Sequence, residues 1–256
     1  LTATIIARDE ATRLAACLEG LRWADERLVL LDSRTRDRSA EVARQAGADV
    51  DFHEFVSFPR QRNAALDLVR ERYRSDWLLF VDADERLTAP FATEVRQVIQ
   101  RTEADAPVGY WIPRRNYIWG EWIRHGGWSP DYQLRLLKVG AARYDETRDV
   151  HELVELAGPP GYLHEPFIHY NYDQVSQFIR KQSAYARLDA IRLSRRGIKV
   201  RPHAIILQPI REFRRRYLWL EGYRDGWRGL LLCSLLAWYT AVTYAEVVRL
   251  RRTSTL

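Results

Sequence analysis

The chain has 256 residues, 46% hydrophobic and 29% charged, a balance that admits one large α/β domain with an extension and excludes a disordered chain. Its net charge of +6 is unevenly placed: Arg211–Leu256 holds nine arginines against four acidic residues, so the rest of the chain is close to neutral. A near-neutral core argues against a nucleic-acid partner, which would call for basic residues on the fold itself. Two cysteines, Cys17 and Cys233, are too few for a disulfide framework and are expected as buried thiols.

In chain order, Ala3–Ala7 is a short apolar run that ends at Arg8-Asp9-Glu10, and Leu14, Cys17, Leu18 and Leu21 then mark one face of a helix. Arg27–Leu31 is a second strand, ending at Asp32. A helix from Ser39, with Ser39 as its cap, stops at Gly47. Ala48–Phe52 is a third strand, and Ala64, Ala65, Leu68 and Val69 belong to another helix. Trp77–Val81 is a fourth strand, ending at Asp82. Strands alternating with helices predict a parallel sheet, and ligands of such sheets bind at the carboxyl ends of the strands. Three of those ends are acidic here: Asp9 with Glu10, Asp32, and Asp82 with Asp84.

Beyond Pro107 the texture changes. Gly109–Arg114 and Gln133–Val139 read as strands, and Trp119, Trp122 and Trp128 stand among Arg124, His125 and paired glycines. That mixture is too polar for a simple core and fits a carbohydrate pocket, where aromatic faces stack on sugar rings. Irregular strands are expected near Arg148–Leu156 and Tyr162–Tyr170. From Asp173 onward the pattern is helical, with a break near Gly197–Pro202.

Asp82-Ala83-Asp84-Glu85 after an apolar strand places carboxylates where they can hold Mg²⁺ or Mn²⁺ beside a diphosphate. Haloacid-dehalogenase-like phosphohydrolases also use two aspartates in this spacing, but Arg86 stands where their pattern has Thr or Val, and no second acidic metal motif follows. A nucleotidyltransferase that makes sugar nucleotides is a further alternative, although Arg8-Asp9-Glu10 is not its glycine-rich loop. A non-enzymatic, membrane-associated binding protein is a third alternative and leaves the acidic positions unexplained.

The motif order resembles that of the family 2 glycosyltransferases of GT-A fold, and within them the bacterial lipopolysaccharide core β-1,4-glucosyltransferases. The resemblance is carried by Thr4–Glu10, Leu30–Asp37, Phe58–Leu66, Leu78–Glu85, Ile112–Asn116, Asp149–Glu152 and above all Ile123–Leu137 (IRHGGWSPDYQLRLL). It implies inverting transfer of a sugar, glucose by analogy, from a UDP-sugar to a cell-envelope glycan or lipopolysaccharide core acceptor, assisted by a divalent metal. It further implies that Ala7 and Glu10 border the nucleoside, that Asp32 accepts a hydrogen bond from uracil, and that Asp82 approaches ribose or metal. Asp84 ligates the metal, and Arg62, Trp128 and Arg135 join the nucleotide-sugar site. The family's D-S-G-S-T-D loop reads Asp32-Ser33-Arg34-Thr35-Arg36-Asp37 here, without its glycine.

His151 is the preferred second metal ligand, because Val150-His151-Glu152 follows the sugar-site block, and His169 stands next. An inverting transfer needs a base apart from the metal pair. Asp131, which Pro130 should present on an extended or turned approach, is chosen over Glu152 and Asp149. Residues 1–172 are expected to form the catalytic domain, with a nucleotide half to about 106 and an acceptor half from 107, and 173–256 a helical extension.

Within that extension Gly229–Ala245 carries no charge and is flanked by Arg249, Arg251 and Arg252. It is short for a bilayer span of about 20 residues. A helix lying on the membrane, a buried or oligomeric helix and a true span all remain open. Basic flanks with Trp238, Tyr239 and Tyr244 favour the first. No signal peptide precedes the first strand, Leu1 is not expected to be the true start, and a cytoplasmic enzyme on the inner face of the membrane is expected.

Overall fold

A computed structural model describes residues 1–103, 105–147, 154–196, 200–201 and 203–253, the last three without their side chains. Contacts divide the chain into two compact units: Leu1–Arg114 with Asp131–His169, and Arg115–Pro130 with Tyr170–Leu256. Arg115–Pro130, which the sequence reading grouped with the acceptor half, therefore keeps company with the C-terminal helices.

In the first unit strand and helix alternate as expected: β1 (Thr2–Ala7), α1 (Ala11–Glu19), β2 (Glu26–Asp32), α2 (Ser39–Gln45), β3 (Asp49–His53), α3 (Phe58–Leu68) and β4 (Trp77–Val81). β1 lies between β2 and β4, parallel to both, and β3 adds outside β2, also parallel. Both faces are covered, which is why these strands read as unbroken apolar runs. A strand sends successive side chains to opposite faces. Val29, Leu31, Leu79 and Val81 accordingly join Leu14, Leu18 and Phe91 in one core. Leu28, Leu30, Leu78 and Phe80 join Ala65, Leu66 and Tyr144 in the other.

β5 (Glu85–Arg86) and α4 (Ala89–Ile99) follow. The sequence reading did not identify α4, although its start is marked: Thr88 accepts from the Phe91 amide, a proline sits in the first turn, and Phe91, Val95 and Val98 are buried. Ser39 opens α2 but does not cap it; its hydroxyl donates to Asp37 and accepts from the Glu10 amide instead. Then come β6 (Gly109–Ile118), β7 (Glu121–Trp122), β8 (Tyr132–Lys138), β9 (Ala142–Tyr144), β10 (Val154–Leu156), β11 (Pro160–Tyr162) and β12 (Phe167–Tyr172). β8 runs antiparallel between β4 and β6, so the sheet is mixed. β12 pairs antiparallel with β5 and sets His169 opposite Glu85.

The second unit takes the far ends of β6 and β12, the short β7, and three helices: α5 (Val175–Arg195), α6 (Ala204–Arg214) and α7 (Gly226–Thr253). A π-helical turn, Arg215–Trp219, prolongs α6. Ile118, Ile123, Phe178, Leu232 and Tyr239 form its core, with Trp119, Trp128, Leu235 and Leu236 packed against them. Tyr239 ties α7 to α5 by donating to the Ile179 carbonyl at 3.0 Å. Both cysteines are free and buried, as expected, and burial pushes the Cys233 thiol up to about 11.

Candidate active site

The parallel register brings the acidic strand ends to one edge of the sheet, since Ala7 is level with Leu31 and Ile5 with Val81. Asp9 adopts a left-handed φ of 54°, and its carboxylate accepts from the backbone amides of Arg36 and Asp37. Asp37 in turn accepts from the Ala11 amide, and Ser39 receives the Glu10 amide. The loops after β1 and β2 are thereby locked together, with Ala7 buried and Glu10 half-buried at the mouth. No residue from Asp32 to Asp37 has a positive φ, so the loop forms without the glycine of the family pattern.

Asp32 is buried, and its carboxylate is engaged on both oxygens by Arg34, whose Nε and Nη2 donate over 2.9–3.1 Å. Those bonds hold the carboxyl down to about 2. Arg34 also reaches the Phe55 carbonyl, and Phe55 packs edge-on against the exposed Phe58. An aromatic rim thus stands beside the carboxylate assigned to the base.

Around the end of β4 the charges interlock. Asp82 accepts from Arg135 Nη2 at 2.9 Å, and Arg62 Nη2 lies 3.9 Å from its other oxygen. Arg62 is buried, with its guanidinium 4.7 Å over the Phe80 ring and 5.7 Å from that of Tyr144. It is not one of the many surface arginines. Arg135 is also buried, and its Nη1 has no hydrogen-bond partner. A buried donor of that kind is costly unless something fills it.

Asp84 lies with its Oδ2 3.5 Å from His169 Nε2 and 3.7 Å from Arg13 Nη1. The β5–β12 pairing makes this contact, so a histidine 85 positions along the chain meets the second aspartate of the motif. A carboxylate oxygen and an imidazole nitrogen side by side fit a hard or borderline divalent cation. Among the described residues no group of three His, Cys, Asp or Glu side chains converges on one point. His151, together with Asp149 and Glu152, lies outside the described residues.

Two further side chains were not singled out from sequence. Glu85 is fully buried; its Oε2 accepts from the Asp82 amide at 2.8 Å, and its Oε1 lies 3.6 Å from Arg114 Nη1. Burial raises its pKa well above the usual carboxylate range. Arg114 also donates from Nε and Nη2 to Asp131 at 2.9 and 2.8 Å, and its backbone amide bonds the Asp131 carbonyl. Gln133 donates to the remaining Asp131 oxygen at 2.8 Å. Arg114 therefore connects the end of the acidic motif to the carboxylate chosen as base. Arg86, at the position that spoke against a phosphohydrolase, clamps the turn through the Ala83 and Glu85 carbonyls.

In the second unit Trp119, Trp122 and Trp128 each pack against protein side chains. Trp119 stacks on Trp227 at 6.1 Å, and the ring of Trp122 carries the guanidinium groups of Arg115 and Arg124. Trp128 is partly buried against the unit's core, and its carbonyl accepts from Asn116.

Residues 2–157 match the family model described as glycosyl transferase family 2. The chain belongs to that family. It is a glycosyltransferase, and its mixed sheet is of the GT-A type, which sets aside the nucleotidyltransferase and phosphohydrolase readings. A lipopolysaccharide core biosynthesis glycosyltransferase of Rhizobium meliloti (strain 1021) is 27% identical over 96% of this chain and 91% of its own length. An uncharacterized glycosyltransferase of Rickettsia felis is 22% identical over 96% of this chain and 89% of its own. Among solved structures, S. aureus TarS 1-349 aligns over 96% of this chain and 88% of its own, with a TM-score of 0.48 and 12% identity.

Proposed function

We propose that this glycosyltransferase inverts the anomeric carbon of a sugar, glucose by analogy, as it moves it from UDP to a sugar hydroxyl of a lipopolysaccharide core or similar envelope glycan. The observation that carries the reading is the pairing of an Asp84–His169 donor set with a separate carboxylate, Asp131, held by Arg114 within the same unit. Ala7, Glu10 and Asp32 border the nucleoside in this reading. The unpartnered Nη1 of Arg135 and the buried guanidinium of Arg62 supply positive charge for the diphosphate. The acceptor chemistry follows the Rhizobium meliloti relative, whose name places it in lipopolysaccharide core biosynthesis.

In the transfer, Asp131 takes the proton of the acceptor hydroxyl as its oxygen forms a bond to the anomeric carbon. The bond from that carbon to the diphosphate oxygen breaks, and its electron pair leaves with UDP. The two bonds from Arg114 hold the Asp131 carboxylate in a fixed orientation, as a positioned base requires. Asp84 and His169 would hold Mg²⁺ or Mn²⁺, which when bound supplies charge to the departing diphosphate. The reaction needs no covalent enzyme intermediate. Because the acceptor is lipid-borne, the enzyme works on the cytoplasmic face of the membrane and is held there by its C-terminal helices. The test is nuclear magnetic resonance of the product made from a UDP-α-sugar: a β-linkage is expected, and an α-linkage would refute inversion.

A further inference from the structure

By length and composition Gly222–Leu250, which includes most of α7, suffices to cross a bilayer. Its inward face is committed, however: Leu232, Cys233, Ala237, Tyr239 and Val247 are buried within the second unit. α6 and the turn after it are different. No residue of Ala204–Trp219 is fully buried, and the exposed positions recur at helical spacing: Ile206, Leu207, Ile210, Arg211, Arg214, Arg215, Leu218 and Trp219. α7 also has an open apolar face, Trp227, Leu230, Trp238 and Val242, but no arginine stands between Leu230 and Val242 there. On Ala204–Trp219, by contrast, arginines alternate with Ile206 at 66% exposed and Trp219 at 71%.

The charges on this face are all of one sign. The segment's one carboxylate, Glu212, is half-buried and clamped by Arg215 and Arg216. Arg211 and Arg214 make no ion pair among the described residues, and both stand in the same stripe as Leu207, Ile210 and Leu218. Helical residues three and four apart are neighbours, so guanidinium and aliphatic side chains alternate along one line. Isoleucine, leucine and tryptophan with unpaired arginine, on a helix not buried elsewhere, match the boundary between acyl chains and anionic headgroups.

We propose that Ala204–Trp219, rather than α7, is the element that docks the enzyme on anionic lipid. Ile206, Leu207, Ile210, Leu218 and Trp219 enter the acyl boundary, and Arg211 and Arg214 bind lipid phosphates. The proposal rests on the reading that the enzyme works at a membrane, and it identifies the surface and the lipid class.

The experiment is co-sedimentation of the full chain with vesicles of phosphatidylcholine, alone or mixed with phosphatidylglycerol, over a range of salt. Wild type should partition onto the mixed vesicles and lose binding as salt rises. Arg211→Ala with Arg214→Ala should weaken that partition by about tenfold or more and flatten its salt dependence. Leu207→Asp with Ile210→Asp should abolish it. Thermal melts should stay unchanged in both, because the altered side chains are exposed. Trp238→Asp, on the open face of α7, should have little effect. Wild type that ignores both vesicles would overturn the membrane reading and this proposal with it. Variants that partition like wild type would overturn this proposal alone, as would loss of binding on Trp238→Asp, or a concentration-dependent dimer that Leu207→Asp dissolves.

Discussion

Asp131→Asn separates the proposed base from the structure that holds it. The carboxylate accepts Arg114 on Oδ2 and Gln133 on Oδ1. An asparagine can keep its carbonyl toward Arg114 and turn its amide toward Gln133, whose own amide then reverses to accept. These hydrogen bonds survive, and the charge is lost from a pair whose side chains are 16% and 23% exposed. Because the pair is mostly buried, losing one charge can cost the fold up to roughly 3–5 kcal/mol, so stability is followed beside activity. Losing a positioned general base costs about 10² to 10⁴ in rate, or roughly 3–5 kcal/mol of barrier. Transfer measured at saturating donor and acceptor should fall by about 10² to 10⁴, while the variant stays folded at the assay temperature and calorimetric UDP affinity stays near wild type. Transfer within a few-fold of wild type would refute the assignment and move the base to Glu152.

Other expectations follow from the same contacts. Arg34→Ala frees the Asp32 carboxylate for a base N–H and should raise UDP affinity by up to about fivefold, the scale of one partly exposed pair; unchanged or weaker binding would count against Asp32 as the base acceptor. Folding favours ionised Asp32, because its carboxyl is held at about 2 against an ordinary 3.8. The stability it adds is therefore complete above 3.8 and lost as pH falls toward about 2, and Arg34→Ala should flatten that part of an acid denaturation curve. Phe91→Ala in α4 removes a fully buried ring and should cost about 3–5 kcal/mol in denaturant unfolding, with a loss under about 1 showing that α4 is not part of the core.

The nucleotide half was legible because its information is local. Each of β1, β2 and β4 is an apolar run followed at once by carboxylates, and a parallel sheet brings such ends to one edge. What escaped was either short or distant. β5 has two residues, too few for any periodicity, yet its pairing with β12 is what carries His169 to Asp84. Nothing in the spacing of Asp84 and His169 signals that meeting. Arg62 looked like one basic residue among 40, and only its place between Phe80 and Tyr144 distinguishes it. Glu85 could be read as a third solvated carboxylate of the turn, whereas the sheet buries it beneath Arg114. In the C-terminal region the apolar run of α7 drew the eye, while the exposed stripe of α6 is interrupted by arginines and shows itself only once the buried faces are known.

Metal-assisted binding of a uridine diphosphate is proposed at the edge where Asp84 meets His169. Calorimetric titration of UDP, with and without Mn²⁺, into wild type and Asp84→Ala tests it most directly. Mn²⁺ should tighten binding in wild type and have little effect in Asp84→Ala. Equal affinity in both proteins, with and without the metal, would contradict it.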